Sequence, residues 1–599
     1  MSTYSIQLPT GEFLEMLPGI QLGFELQSSI FSNTDTSVLP GSFTFPVDIP
    51  ASAANRAALG FPENVHTPGT PAPIKGVWVH AAGQAMFYVT LTIRSANTRR
   101  ISISIVANPI ASIKDVAINE LDLGADVPFN TPPVDPQAFM KATAEAPLDF
   151  SFAFLPVQNL AFRPDDRPGT FLSNFIKPQN NWDEGAGEFE IDPDVPVMPM
   201  VRLDHVLRQL IETSAEGWSL VNGLQATDEM KLLYLWNNYD LWEAGNGDTD
   251  KALAASFNLR NHVSGTKGNE FLKKVASLFC TGVFVNPFNR TVRLLPLQEV
   301  LAAPARHDWT AHAVAGPDIG FEDNERIDAF HHITDHLGPI GISPTLAELK
   351  PSTYNLSDTL EELTAFSNYA DYQAADPPDG LYYIEDSASL ALRRTDGGGF
   401  HFTTVIGYQK RAKRLGSGGT RYQPQMQVPF HHDPAFGTGY TVRWDSPGNM
   451  VVEDDADEHT WRRTGDGMDD VLFFYRGLQP NGNGDDVPYC TDSDFPPDYS
   501  AAPGQLWPAG SATADVQHSL RWTGDRGLYA KRFSHWNELV ANGKTVTMQL
   551  TLPVPELVGF SFEDKVRIGQ MDYFVQRLRI MKLGPDRRFL VEARLFSVI

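Results

Sequence analysis

Apolar positions at the start of the chain recur every second residue. Leu22, Phe24 and Leu26 alternate with Gly23, Glu25 and Gln27, and Phe43, Phe45, Val47 and Ile49 repeat the pattern. Pro46 and Pro50 push that second segment toward a sheet edge, because proline cannot donate to a ladder. Val77 to Val79 leads into Met86 to Ile93, and Ile101, Ile103 and Ile105 alternate with Ser102 and Ser104. Short strands with one apolar face, separated by Gly and Pro, predict an antiparallel sandwich or barrel. The same period returns at the other end. Val546, Met548, Leu550 and Leu552 alternate, Lys565 to Ile568 turns at Gly569-Gln570 into Tyr573 to Leu578, and Phe589, Val591, Ala593 and Leu595 follow. That is a β-meander and predicts a second β-domain.

Between the ends the period shifts toward that of a helix. Asp204 is placed to cap a helix whose Val206, Leu207, Leu210 and Ile211 share a face, with Gly217 as its stop. Asp228 opens a second helical segment through Leu232, Leu233 and Leu235 to Asn237-Asn238. Asn269 opens a third, with Phe271, Leu272, Val275, Ala276 and Phe279 on one stripe and Gly282 at its end. Val283 to Val285 and Val292 to Leu295 then read as a hairpin around Asn286 to Asn289. Two other stretches lack a strong period. Asp126 to Pro196 is Pro-rich and reads as long surface loop with one strand at Phe150, Phe152 and Phe154; Gly397 to Gly510 is rich in Gly, Asp and Pro, with isolated strands at His401 to Tyr408 and Val471 to Tyr475.

These shifts predict a mainly β protein with an α/β insert: two tube-like antiparallel β-barrel or sandwich domains, an inserted helical-hairpin segment and long loops. The boundaries fall at 1–125 for the N-terminal β-domain, 126–196 for a loop-rich connection, 197–310 for the insert, 311–396 for a mixed β linker, 397–515 for a loop-rich, outward-facing region, and 516–599 for the C-terminal β-domain, completed if necessary by earlier segments.

Composition narrows the function classes. With 599 residues the chain is too long for one core, and 42% hydrophobic with 20% charged content is that of a folded protein. A net charge of -26 is the wrong sign for stable binding to a nucleic-acid backbone. Arg99-Arg100, Arg393-Arg394 and Lys410 to Arg414 are local basic exceptions that read as solvated turn and edge charges. The two cysteines, Cys280 at an apolar helix end and Cys490 in a polar loop, are paired by no spacing rule. Met1 to Pro9 has no basic stretch followed by an apolar core, so no secretory signal is expected, and no apolar run reaches the length of a membrane span.

Candidate chemistry is thin. His431-His432-Asp433, and His331-His332 with Asp335 and His336, offer metal-ligand atoms, but adjacent residues on a strand face opposite sides and cannot share one ion without a bend. Asn481, Asn483 and Asp485, with Asp492 beyond, have the alternation of a calcium loop, yet Asp486 stands where its glycine belongs and the bidentate glutamate is missing. Asp454, Asp455, Asp457 and Glu458 before His459 read as a solvated acidic turn. Gly416 to Thr420 is glycine-rich without the lysine and helix of a phosphate loop, and no Gly-x-Ser-x-Gly elbow occurs. No catalytic residue, metal ligand or cofactor site is therefore assigned, and the protein is expected not to be an enzyme. Trp182, Trp444, Trp461, Trp507, Trp522 and Trp536 lie in loop-rich sequence, where they serve either to pack loops or as aromatic platforms for sugars or subunits.

Several pieces in order, none of them a sharp motif, carry a likeness: Leu39 to Val47 with Leu59 to Asn64, Asp204 to Gly217, Lys231 to Asn238, Phe271 to Phe279 running on to Val292 and Asp308-Trp309-Thr310, and Leu520 to Tyr529 with the terminal meander. Together they cover about half the chain, which resembles the tail-hub (baseplate hub) proteins of tailed bacteriophages and prophages, especially those of Bacteroidota-type hosts. The resemblance implies a non-enzymatic virion part, assembled in the host cytoplasm. It implies a homotrimer closing the tail tube, with two tube-like β-domains per subunit giving a pseudo-sixfold ring. It also implies contacts to tube or distal tail proteins and to tip or fibre proteins, passage of DNA without specific binding, and no stable membrane insertion. Residues 397–515 match no part of it. Two rivals stand beside this reading: a β-sandwich carbohydrate-binding or carbohydrate-active protein using the loop tryptophans, and the spike base of a phage-tail-like injection system.

Overall fold

The computed structural model describes most of residues 4–156, 179–314 and 543–598, together with shorter stretches between 329 and 536, among them 401–411, 472–480 and 526–536. The fold is mainly β, with several antiparallel sheets and short helices between them.

The largest element is one 13-stranded sheet made by both ends of the chain. Its strands are β1 (Tyr4–Gln7), β2 (Phe13–Leu14), β3 (Phe24–Gln27), β4 (Ser42–Thr44), β5 (Val47–Pro50), β6 (Ile74–Ala81), β7 (Gln84–Ala96), β8 (Arg100–Ala107), β9 (His307–Asp308), β10 (Thr545–Pro553), β11 (Lys565–Ile568), β12 (Met571–Leu583) and β13 (Arg588–Val598). From one rim the order is β2-β1-β6-β7-β8-β4-β3-β12, where β12 continues on one side to β11 and β9 and on the other to β13 and β10. The join between chain ends is the antiparallel ladder of β3 on β12, with Phe24 opposite Ile580 and Gln27 opposite Arg577. The sheet is open: among the described residues no pairing returns from β10 or β9 to β2.

The alternation read from the sequence sets which face is buried. In β6 Val77, Val79 and Ala81 point inward, and in β10 Val546, Met548, Leu550 and Leu552 do the same. They meet β1, β3 and β13 in one core that takes side chains from both ends of the chain and holds Trp309 between them. β4 lies between β3 and β8, away from the edge expected of this segment, and β5 flanks β8 further along. The terminal strands are not paired in simple succession. β10 lies on β13, and the Val554–Gly559 helix carries the chain from β10 across to β11.

A second core belongs to the region between the ends. Leu203–Glu212 packs Val206, Leu207, Leu210 and Ile211 inward as the spacing predicted, but its N-cap is Arg202. Asp204, expected as the cap, lies in the first turn and accepts a 2.8 Å hydrogen bond from Arg208. The helix ends before Thr213, and Gly217, expected as its stop, takes a left-handed φ of +77° just ahead of the strand Ser219–Asn222. The second expected helix is one turn, Asp228–Lys231, capped by Thr227; Leu233–Leu235 is a strand. Three consecutive buried residues there sit between strands on both sides, and burial on both faces removes the alternation that marks a strand. The third helix, Gly268–Leu278, stops before Gly282. Cys280 makes the left-handed turn (φ +47°), and Gly282 lies within the strand Thr281–Asn286, where a Cβ would come within 2.6 Å of the Phe284 ring.

The 126–196 stretch was expected as surface loop. Where it is described it is largely interior. It holds a helix, Pro136–Glu145, and buries Phe129, Met140, Phe152, Phe154, Trp182 and Phe189. Phe129 stacks on Phe154 at 5.1 Å, and Phe257 meets both edge-on. Long loops reach the core here because aromatic rings, and not a regular period, supply the apolar surface. Likewise Cys490, expected in a polar loop, is fully buried in the strand Asp486–Thr491, which pairs with Leu472–Pro480 and through it joins the sheet of the insert. Both cysteines are free thiols.

Trp309 is the wedge between β9 and the Val554–Gly559 segment: it is wholly buried and lies 5.2 Å from Phe560. Replacing it by alanine leaves a cavity that the two flanking backbones cannot close. Trp309→Ala should lower stability by about 3–5 kcal/mol, read as a fall in the denaturation midpoint at unchanged secondary-structure signal in buffer.

Candidate functional site

The described residues concentrate their charged chemistry in two latches, each joining segments far apart in sequence. In the first, Glu229 on the Asp228–Lys231 turn receives the Arg476 guanidinium, the His518 ring at 2.7 Å and the His518 backbone N–H at 3.1 Å. Arg476 also donates to the His518 carbonyl at 2.7 Å and lies over the Phe474 ring at 4.0 Å. Burial by itself pushes the Glu229 carboxyl upward, but the His518 hydrogen bond and the charges of Arg476 and His518 outweigh it and bring the group down to about 2.

The second latch fixes the insert to the C-terminal strands. Arg293, on the strand Thr291–Pro296, pairs with Glu563. Arg306 reaches Asp564 at 3.4 Å, His307 contacts Asp564 at 3.3 Å and Glu556 at 3.5 Å, and Lys565 donates to the Leu301 carbonyl at 2.9 Å. Burial raises the Glu563 carboxyl despite Arg293; Asp564 resists the same burial because His307 and Arg306 face it, and it stays below the ordinary range. A third, uncharged network lies inside the insert. Asn180 bonds to the carbonyls of Leu155 and Met198 and accepts from Met198 N–H, while Asn237 bonds to the Pro199 carbonyl at 2.6 Å and to His262 at 3.1 Å. These groups bond to one another across segment boundaries. They hold together segments that lie far apart in the chain.

Exposed apolar side chains occur near strand ends and turns of the sheet. At the first rim, β2 carries Phe13 at 55% exposure, and Leu17 follows it, also exposed. Asn55 of the helix α1 (Ala53–Ala58) holds that strand by donating to the Glu15 carbonyl and accepting from Glu15 N–H. Beyond α1 lies Phe61, 51% exposed and at φ +53°. Elsewhere on the sheet Val314 is 54% exposed and donates its N–H to the Gln549 carbonyl on β10, and Met571 at the β11–β12 turn is also exposed, in a turn where Gly569 N–H bonds to Thr310.

Most residues singled out from the sequence fall elsewhere. His331 and His332 lie in the strand Ala329–Thr334, and Arg393-Arg394 in the strand Ser389–Thr395. Asp335, His336, His431 to Asp433, Gly416 to Thr420, Asp454 to His459, Asn481 to Asp485 and Asp492 lie outside the described residues, as do Trp507 and Trp522. Arg100 pairs with Asp48 at 2.9 Å across an exposed turn. Trp182 and Trp536, two of the six loop tryptophans, are buried and present no platform. Among the described residues no group of three or more His, Cys, Asp or Glu converges as a metal site, and no helix is long and apolar enough to cross a membrane. The latches were missed in the sequence because their members are separated by more than two hundred residues; isolated Arg and Glu positions carry no signal of pairing.

No protein-family model matches the chain, and no curated protein matches it by sequence. Among solved structures it is similar to the 43 kDa tail protein of prophage MuSo2 from Shewanella oneidensis, at 8% identity and a TM-score of 0.30, over 100% of this chain and 97% of that one. It is also similar to a tail protein from Neisseria meningitidis MC58, at 8% identity and a TM-score of 0.25, over 99% and 96% of the two chains.

Disrupting the first latch has a defined pH signature. A carboxyl held at about 2, against 4.5 ordinarily, contributes stability fully present above pH 4.5 and lost as pH falls toward 2. Glu229→Gln should cost about 3 kcal/mol at pH 7, and the gap between variant and wild type should narrow below pH 4.5; denaturant melts at pH 7, 4 and 3 would measure it.

Proposed function

We propose that this protein is a non-enzymatic structural component of a bacteriophage tail: a homotrimeric hub that closes the tail tube and joins it to distal tail, baseplate or fibre proteins. The observation that carries the reading is the open 13-stranded sheet built from both ends of the chain, whose first-rim strand β2 pairs only with β1 among the described residues. Unpaired sheet edges are an association hazard in a lone protomer, and closure of copies into a ring removes them. The insert is tied to the C-terminal strands by Arg293 and Glu563, which suits a fixed place in a ring.

In this reading the likeness of the sequence to Bacteroidota-type hubs supplies the tail context and the three copies. The partners are the tube or distal tail protein on one side and tip or fibre proteins on the other. DNA passes without being held, and the -26 charge keeps phosphates from adhering to the channel wall. The site of action is the tail tip of the virion, after assembly in the host cytoplasm.

Light scattering on the purified chain should give three times the 66.2 kDa protomer mass, and gold-labelled antibody against it should decorate one end of the tail. A stable monomer with measurable glycan affinity would instead support the carbohydrate-binding reading.

A further inference from the structure

On the face of the large sheet turned away from its core, side chains from four neighbouring strands form one continuous row. The register sets it up. Phe13 on β2 stands opposite Gln7 on β1, Gln7 opposite Trp78 on β6, and Trp78 opposite Tyr88 on β7. Their chain neighbours Leu14, Ile6, Val79 and Val89 are buried in the core, so the row itself points the other way. Its members touch. The His80 ring lies 5.7 Å from that of Phe13, and its Nε2 donates to Gln7 Oε1 at 3.1 Å. Trp78 meets Tyr88 edge to face at 5.2 Å. Arg290, in the turn before the strand Thr291–Pro296, lays its guanidinium over Tyr88 at 5.0 Å and closes the row at the insert. Gly76, at φ +77° in a break of the β6–β7 register, leaves room for the Tyr88 hydroxyl, which a Cβ there would meet at 3.2 Å.

Water reaches this row. Phe13 is 55% exposed, and Gln7, Trp78, His80 and Tyr88 are each half-buried. Its chemistry is that of aromatic rings alternating with uncharged hydrogen-bonding groups. Burial holds His80 below the ordinary histidine range, so its ring is neutral at pH 7. Glu12 and Glu15 flank Phe13 closely in the chain, and residues 1–55 contain five acidic side chains and no lysine or arginine. The positive head of Arg290 is engaged with the Tyr88 ring. An anionic ligand therefore meets a repulsive surround. An all-apolar one would strip water from the Gln7 amide and the His80 imidazole. An uncharged ligand with apolar faces and hydroxyl rims suits both halves of the row. Phe13 and Trp78 are two strands apart, about 10 Å, which is the advance of two sugar rings along an extended β-1,4-linked chain.

We propose that this row binds a neutral, extended oligosaccharide, with the Phe13 and Trp78 rings packed on sugar faces two units apart and Gln7 and His80 bonded to hydroxyls between them. Tyr88 and Arg290 act from behind by fixing the tilt of Trp78. The surface is distinct from the loop tryptophans, of which Trp182 and Trp536 are buried. It lies within one protomer, so it does not rest on the ring-forming reading above.

Calorimetric titration of the full chain with cellohexaose and chitohexaose, two neutral β-1,4-linked probes, tests it. At least one should bind in the micromolar to millimolar range. Phe13→Ala should weaken that binding ~10-fold and leave the melting temperature at the wild-type value, because most of the ring is in water. Trp78→Ala should abolish binding with the circular-dichroism spectrum unchanged; should that variant not fold, Phe13→Ala decides alone. Absence of binding to both probes overturns the site, as does binding that Phe13→Ala leaves intact. Tighter binding of hexagalacturonate, an acidic counterpart, or of a polyproline peptide also overturns it, the latter by giving the rings to a protein segment. The oligomeric state separates this outcome from the tail reading. Trimers that bind leave both standing, trimers that do not bind sink the row alone, and a monomer that binds keeps the row and sinks the ring.

Discussion

The ladder between β3 and β12 is the constraint on which the rest of the molecule depends. It joins residues more than five hundred positions apart, Phe24 with Ile580 and Gln27 with Arg577, and turns two sets of strands into one sheet with one core. Closing so long a loop carries a large entropic cost that only burial on both sides of the join offsets. Phe24 meets Tyr4 and Phe87 from the N-terminal strands, while Leu578 and Ile580 meet the core from the C-terminal side, so the ladder lies where apolar surface from both ends is densest.

Everything between the ends is then held against that sheet. β12 shows how: Tyr573 and Val575 face the core of the sheet, while Phe574 turns to the core of the insert. Gly543 lies over Phe596 so closely that a Cβ would come within 2.1 Å of the ring. The ionic latches add position more than energy. Buried pairs such as Arg293 with Glu563 lose much of their attraction to desolvation, which is why Glu563 is pushed upward in spite of its partner. Their directional bonds nevertheless fix how the Thr291–Pro296 strand sits on the C-terminal block.

Some of this was legible along the chain. The alternation at Ile101 to Ile105 and Val546 to Leu552 gave both the strands and their inward face, because a strand with one wet side writes its period into the sequence. The stripe at Val206 to Ile211 gave a helix for the same reason. Leu233–Leu235 was misread as helix because a strand buried on both faces carries no alternation, and the aromatic interior of 126–196 was misread as loop because ring packing has no period at all. The latch residues, and the exposed Phe13 and Phe61, had no signature: exposure and pairing are properties of neighbours that arrive from elsewhere in the chain.

The sequence by itself determined the local elements at both ends and the acidic balance of the chain, since each follows from residue type and short-range spacing. Tertiary structure alone decided that the two end regions share one sheet and that Cys490 and Trp182 are interior. The physical reason is range. Periodicity acts over a few residues, whereas strand partnership and burial are chosen by the whole chain, which selects the pairing that removes the most apolar surface from water while leaving few backbone groups unbonded.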